Sequence, residues 1–283
     1  MLINEEPKRY LLSQTVVKRS LFSKKELTLY AIGDENSKPL TEYEYEHIEP
    51  YENGLTSAYT KYGPGIHKYG KDVFLIDLSG RLVLPDYQKA GYGVMPEGEV
   101  YKIFKGQKIG LANTDGKILI DPDKNWYIKI VGDTVIYGLN LPGPALTSRL
   151  GASRLENGKL IPLIECKYNF LDRPWDGALI AGRVQIYTHR EAASLFKDRV
   201  TTQVTGAFML FSSVTGKPLS NYVFGKLDRE IDGTMIGIVY PNVKPEDIIP
   251  RSETFKESFL GTGGMDTYEK KEIKLNDRYE VIG

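Results

Sequence analysis

One pattern of hydrophobic and polar positions recurs along the chain. A short apolar stretch runs into a polar turn, and the chain leaves the turn through Lys or Arg followed by aliphatic residues. Five segments carry this pattern: Ile32–Leu40, Ile76–Leu84, Leu111–Ile120, Ala152–Ile161 and Phe211–Leu219. A second turn follows each segment after a nearly constant offset. Such spacing is typical of repeat proteins, whose units bury one another's faces and more often present a binding surface than a catalytic pocket.

The turns and their flanks predict β-hairpins. Asp115-Gly116, Asn157-Gly158 and Asn53-Gly54 are strong hairpin signals, because Gly, Asn and Asp tolerate the positive φ of tight turns. Val, Ile, Leu, Tyr and Phe dominate the flanks, and these residues suit pleated, half-buried strands. The sequence therefore predicts an all-β fold with five repeats of β-hairpin units, in a β-propeller-like or a β-solenoid array. It leaves closed propeller and open solenoid as alternatives.

The repeats divide the chain into three parts. We expect N-terminal strands or a cap over residues 1–28, the five repeats over 29–240, and an irregular segment with a C-terminal hairpin over 241–283. An insertion at about 182–207 interrupts the repeats. Thr188 and Glu191 within it form a capping-box pattern, which predicts one inserted helix over Thr188–Arg199.

Composition narrows the function classes. The chain has 37 basic and 37 acidic residues and a formal net charge of zero, so no overall field would hold nucleic acid or an anionic membrane. The run Lys18-Arg19 with Lys24-Lys25 is a candidate for a local basic patch, but we expect it to be a solvated face. No signal peptide or membrane-spanning stretch is recognisable, which predicts a soluble, cytoplasmic protein. Cys166 is the only cysteine, which excludes an internal disulfide and a cysteine-based zinc cluster.

The repeat resembles the WG, or KWG, repeat family. Lys108–Pro122 carries the best match, with its glycine, aliphatic strand, Gly-Lys turn and closing proline, and Phe74–Tyr87 is similar. The family's Trp-Gly pair is not intact in this chain, although Ile109-Gly110 and Leu150-Gly151 keep the glycine. The resemblance implies repeated β units, found mostly in bacteria and their mobile elements, that mediate interactions. It brings no catalytic residues.

No motif for catalysis, cofactor binding or metal binding stands out. The three histidines are isolated, and neither a nucleophile elbow nor a phosphate-binding loop is present. Carboxylates offer one enzymatic alternative, since glycosidases work with two of them. The candidates are Asp77, Asp115, Asp121, Glu165 and Asp172. Asp77 and Asp115 occupy turn positions, where Asp is favoured for local hydrogen bonds, so we expect no catalytic residue.

The function that fits best is a non-enzymatic protein–protein interaction or scaffold module, in a bacterial or phage-like setting and within a larger assembly. Its partner would be another protein, without nucleic acid, membrane or cofactor. Aromatic and apolar residues are the candidate contacts, because aromatics dominate interface hot spots. They are Tyr51, Trp126, Tyr127, Trp175, Leu195 and Phe196. Two alternatives stay open: a five-bladed propeller that binds or hydrolyses glycans, and a toxin-neutralising, immunity-type inhibitor.

Overall fold

The computed structural model describes residues 1–20, 23–64, 72–139, 149–192, 198–249 and 269–282. Within these ranges, only the backbone is described for residues 19–20, 23, 125–126, 139, 184–192 and 198–205. The chain divides into two compact units, Met1–Asp123 and Lys124–Gly283.

Unit 1 holds three antiparallel sheets, each built from strands that follow one another along the chain. The first sheet contains β1 (Leu2–Asn4), β2 (Arg9–Ser20) and β3 (Ser23–Gly33). The second contains β4 (His47–Ile48), β5 (Leu55–Tyr59) and β6 (Val73–Asp77). A short helix, α1 (Pro85–Lys89), precedes the third, which contains β7 (Gly93–Glu97), β8 (Val100–Lys105), β9 (Lys108–Asn113) and β10 (Ile118–Ile120).

Unit 2 holds two larger antiparallel sheets. The four-stranded sheet contains β11 (Asn125–Val131), β12 (Thr134–Leu139), β13 (Arg149–Glu156) and β14 (Lys159–Tyr168). The six-stranded sheet contains β15 (Phe170–Trp175), β16 (Ala178–Ala192), β17 (Asp198–Ser212), β18 (Phe224–Arg229), β19 (Met235–Val239) and β20 (Lys271–Leu275). A 3-10 helix, Pro245–Ile248, lies between β19 and β20 in the sequence.

The all-β prediction is confirmed, because antiparallel strands make up most of the described structure. None of the five sheets found in the described ranges closes on itself, and each is a meander of sequential strands. The propeller and the solenoid therefore stay predictions. Each unit buries its own apolar side chains: Ile32 and Ile76 are fully buried in unit 1, and Leu179 and Leu210 in unit 2.

A five-residue turn accounts for three of the five segments that carry the repeating pattern, and it also occurs near the C-terminus. An Asp or Asn at its first position accepts the backbone N–H of the fifth residue through its side-chain oxygen, at 2.8–3.0 Å. The fourth residue has a positive φ of 60–85°. The first residues are Asp34, Asp77, Asn113 and Asn276, and the fourth residues are Ser37, Gly80, Gly116 and Tyr279. The side-chain oxygen replaces a strand partner at the turn, which is why Asp and Asn recur there.

The inserted helix was a wrong prediction. Residues 188–192 belong to strand β16 and residues 198–199 to strand β17, while 193–197 lie outside the described residues. Fifteen consecutive residue pairs join the two strands, from Ala178↔Ser212 to Ala192↔Asp198. A capping box stabilises a helix by about 1 kcal/mol, whereas an unbroken cross-strand ladder supplies hydrogen bonds along the whole segment. The β-branched residues between 200 and 205 also favour the strand.

Candidate functional site

Unit 1 carries a cleft of about 560 Å³, here called the first cleft. Residues of strand β5 line it, together with the turns at Asn53 and Gly98. Its lining residues are mostly polar: Glu49, Pro50, Glu52, Asn53, Leu55, Thr56, Ser57, Leu75, Pro96, Gly98, Tyr101 and Thr114. These residues come from the second and third sheets of unit 1 and from the turns between their strands, so the cleft lies between those two sheets.

A second cleft of about 340 Å³ shares Tyr101 and Thr114 with the first. Its other lining residues are Asp77, Val83, Leu84, Pro85, Asp86, Tyr87, Asp115 and Gly116. The helix α1 supplies one wall, and Gln88 holds that helix in place. The buried Gln88 amide accepts a hydrogen bond from the Leu75 N–H at 2.8 Å and donates one to the Leu75 carbonyl at 3.0 Å. A side chain thus completes the backbone pairing at Leu75, as buried amides require.

Two hydroxyl groups in the clefts make no hydrogen bond within the described part of the chain. Ser57 is 5% exposed and lines the first cleft. Tyr101 is half-buried and lies in both clefts. Burial, with the nearby Asp77 carboxylate, raises the pKa of Tyr101, so that its hydroxyl remains a hydrogen-bond donor at neutral pH.

Acidic residues give both clefts a negative character. Glu49 and Glu52 line the first cleft, and Asp77, Asp86 and Asp115 line the second. Among the described residues that line them, none is Lys, Arg or His. The Asp77 carboxylate is engaged in its turn, because its Oδ1 accepts hydrogen bonds from Ser79 and Arg81. The Asp77 carboxylate therefore stabilises its own turn.

The other carboxylates considered from the sequence lie outside the clefts. Asp121 accepts the Asp123 N–H at 2.9 Å, in a local turn of unit 1. In unit 2, Asp172 pairs with Lys129 at 2.7 Å, and the exposed Glu165 lies 3.6 Å from Lys167. The structure therefore brings Asp77 and Asp115 together in one cleft and places the other three elsewhere.

In unit 2, the β16–β17 hairpin extends beyond the sheet that contains its base. β15 pairs with β16 only between Ala178 and Gly182, and β18 meets β17 only at Phe208. The nine pairs from Val184↔Gly206 to Ala192↔Asp198 have no third strand on either side within the described residues. At about 3.3 Å per residue, this distal ribbon is roughly 30 Å long. Its two edges present backbone N–H and C=O groups of the kind that pair with another chain.

Three of the aromatic residues predicted to contact a partner are half-buried. Tyr51 packs against the core of unit 1, and its hydroxyl donates to the Asp77 carbonyl at 2.9 Å. Tyr127 packs against one core of unit 2. Trp175 packs against the other, and its Nε1 donates to the Tyr279 hydroxyl at 2.9 Å. These contacts give the three rings a part in holding the fold together.

The remaining predicted contacts are not described in atomic detail. Trp126 lies in strand β11, where only the backbone is described. Leu195 and Phe196 lie outside the described residues.

The groups that sequence reasoning missed are Ser57, Tyr101 and Gln88. Ser57 and Tyr101 stand on strands of different repeats, and nothing in either local sequence marks a binding position. Tyr101 and Ser57 come together only because the second and third sheets of unit 1 lie side by side, a relation that the local sequence does not encode.

Two kinds of feature are absent from the described ranges. No group of three or more His, Cys, Asp or Glu side chains there could hold a metal ion. No helix in the part of the chain that the structure describes is long and apolar enough to cross a membrane.

Cys166 is half-buried, and burial raises the pKa of its thiol, which keeps it protonated and unreactive at neutral pH.

A scan of protein-family models and a search of curated proteins found no match to this chain. The resemblance to WG repeats therefore stays a prediction from the sequence.

Proposed function

We propose that this chain is a non-enzymatic protein-interaction module or scaffold, a component of a larger cytoplasmic assembly in a bacterial or phage-like setting. The distal ribbon, residues 184–192 and 198–206, is its docking surface. The observation that carries the proposal is the run of nine residue pairs without a third strand. A two-stranded ribbon by itself is marginally stable in water, so this length adds little to the fold of unit 2. The distal ribbon would instead serve to bind a partner protein.

Strand addition is the mode of binding that the ribbon favours. An extended segment of a partner protein pairs with a free edge, main-chain hydrogen bonds supply affinity, and alternate side chains supply specificity. A toxin-neutralising inhibitor is one form that such a module could take, because a protruding hairpin can reach into a partner's cleft. Both forms make the same prediction for removal of the ribbon.

The test compares two shortened proteins in affinity capture from a native lysate. In the first, Asn-Gly replaces residues 184–206, so that Arg183 and Ala207 remain paired across a two-residue turn. In the matched control, Asn-Gly replaces residues 14–29 of the β2–β3 hairpin, so that Ser13 and Tyr30 remain paired. We expect the full chain and the control to retain a specific partner and the first variant to lose it. Retention of the partner by the first variant would contradict the proposal.

A further inference from the structure

We propose that the first and second clefts of unit 1 form one binding site for a saccharide that carries no negative charge. The inference is independent of the distal ribbon and goes beyond the proposed function. It also does not need a propeller, since the clefts are formed within unit 1 alone.

The size and continuity of the clefts support a ligand of several sugar rings. Their volumes, about 560 and 340 Å³, fall within the usual range for small-molecule sites. Tyr101 and Thr114 belong to both linings, so one extended ligand can occupy the two clefts. Ligand sites of this size commonly form where neighbouring structural units meet, as the second and third sheets of unit 1 do here.

The hydrogen-bonding groups of the first cleft suit a polyhydroxylated ligand. Ser57 and Tyr101 offer hydroxyl groups that no neighbouring residue in the described part of the chain satisfies. The Ser57 residue is 5% exposed, and a ligand hydroxyl beside its side chain would take the place of cleft water as its hydrogen-bond partner. Asn53 adds an amide at the rim, and Glu52 a carboxylate, both within the same lining. Sugar hydroxyls can donate to the carboxylate and accept from the other groups.

Charge decides which saccharides fit. Five carboxylates line the two clefts, and no cationic side chain among the described lining residues balances them. Phosphorylated or uronic-acid sugars would meet repulsion from these carboxylates at close range. Neutral sugars, or sugars with free amino groups, would not. The rings of Tyr87 and Tyr101 add flat apolar surfaces against which a sugar face can pack.

Isothermal titration of the full chain tests the site with three probes: an N-acetylated chito-oligosaccharide, its free-amine form and an oligogalacturonate. We expect binding of at least one of the first two and none of the third. Tyr101→Phe and Glu52→Gln should each weaken binding about tenfold, because each removes one hydrogen bond or charged acceptor. Ser57→Ala should weaken it by about threefold to tenfold.

Matched controls lie in unit 2. Tyr222→Phe and Glu165→Gln make the same chemical changes at exposed positions outside the clefts, and should leave affinity unchanged. Thermal melting confirms that each variant is folded. The proposal is overturned if no uncharged or amino saccharide binds, or if binding is indifferent to all three cleft substitutions. It is also overturned if a lysine-rich peptide binds while the neutral saccharide does not, since charge alone would then account for binding.

Discussion

The base and the distal part of the β16–β17 hairpin have the same backbone conformation but different surroundings. At the base, Ala178, Leu179 and Ala181 are buried, and strands pair on both sides of β16. In the distal ribbon, residues 184–192 and 198–206 pair only with each other within the described structure. One continuous pair of strands therefore serves two purposes. The base stabilises unit 2, and the ribbon presents backbone edges for recognition.

The largest effect is expected from a core truncation at the base. Leu179→Ala removes a fully buried side chain and leaves a cavity, and should lower the free energy of unfolding by about 3 kcal/mol. Urea denaturation measures this change. Ile161→Ala is the control in the same unit, because Ile161 is 38% exposed and should cost less than about 1 kcal/mol. Equal losses for both variants would mean that the base is not a packed core.

The Arg173 side chain connects β15, at the edge of the base, to the β11–β12 turn. Its Nη1 donates to the Val131 carbonyl and the Thr134 hydroxyl at 2.9 Å each, and to the Asp133 carboxylate at 2.5 Å. Arg173→Ala leaves the Val131 carbonyl and Thr134 without this donor. We expect a loss of about 1–2 kcal/mol, discounted for the partial exposure of Asp133.

Arg173→Lys refines the test of this connection. Lysine keeps the charge but cannot donate to three acceptors in the planar geometry of a guanidinium. Its unfolding free energy should fall between those of wild type and Arg173→Ala. If Lys restores full stability, charge alone matters, and the geometry of the three hydrogen bonds does not.

Variants at Trp175 distinguish a structural role of this residue from a role in partner binding. Trp175→Phe and Tyr279→Phe each break the same 2.9 Å hydrogen bond, and each should cost about 1 kcal/mol. The double variant should cost less than the sum, which a double-mutant cycle on the unfolding free energy detects. Partner capture should be unchanged in all three. Loss of the partner with unchanged stability would restore Trp175 as a contact residue.

The smallest effect on stability is expected from removal of the ribbon. Replacement of residues 184–206 by Asn-Gly should change the unfolding free energy by less than about 1 kcal/mol, because the removed residues pair only with each other among those described. Urea denaturation of this variant, beside Leu179→Ala, measures the comparison directly. A loss as large as that of Leu179→Ala would show that the ribbon belongs to the fold.

The strands and turns could be predicted from the sequence because their signals are local. Asn157 and Gly158 have φ values of 50° and 66°, as the Asn-Gly hairpin signal requires. The turn at Asn276 escaped the repeat pattern, since Tyr279 occupies the left-handed position that Gly80 and Gly116 fill elsewhere. The Asn276 side chain accepts the same backbone hydrogen bonds as the first residues of the other five-residue turns. The Asp or Asn at the first position therefore marks this turn in the sequence better than the glycine at the fourth position.

Features that depend on distant pairing could not be predicted. The Thr188–Arg199 segment carries a local helix signal, but its described residues pair across the hairpin with partners up to 14 positions away, at Thr188↔Thr202. The first cleft of unit 1 combines Ser57 and Tyr101 from different sheets, and its polar lining arises only when those sheets lie side by side. Gln88 likewise acts through Leu75, on a strand thirteen residues earlier.

Hydrogen exchange across the β16–β17 hairpin, with and without the captured partner, tests the central claim most directly. In the free protein, amides of residues 184–192 and 198–205 should exchange faster than those of residues 178–182, which lie between two strands. Partner binding should slow exchange in the ribbon and leave the base unchanged. Protection elsewhere in the chain, with ribbon exchange unaffected by the partner, would contradict the account.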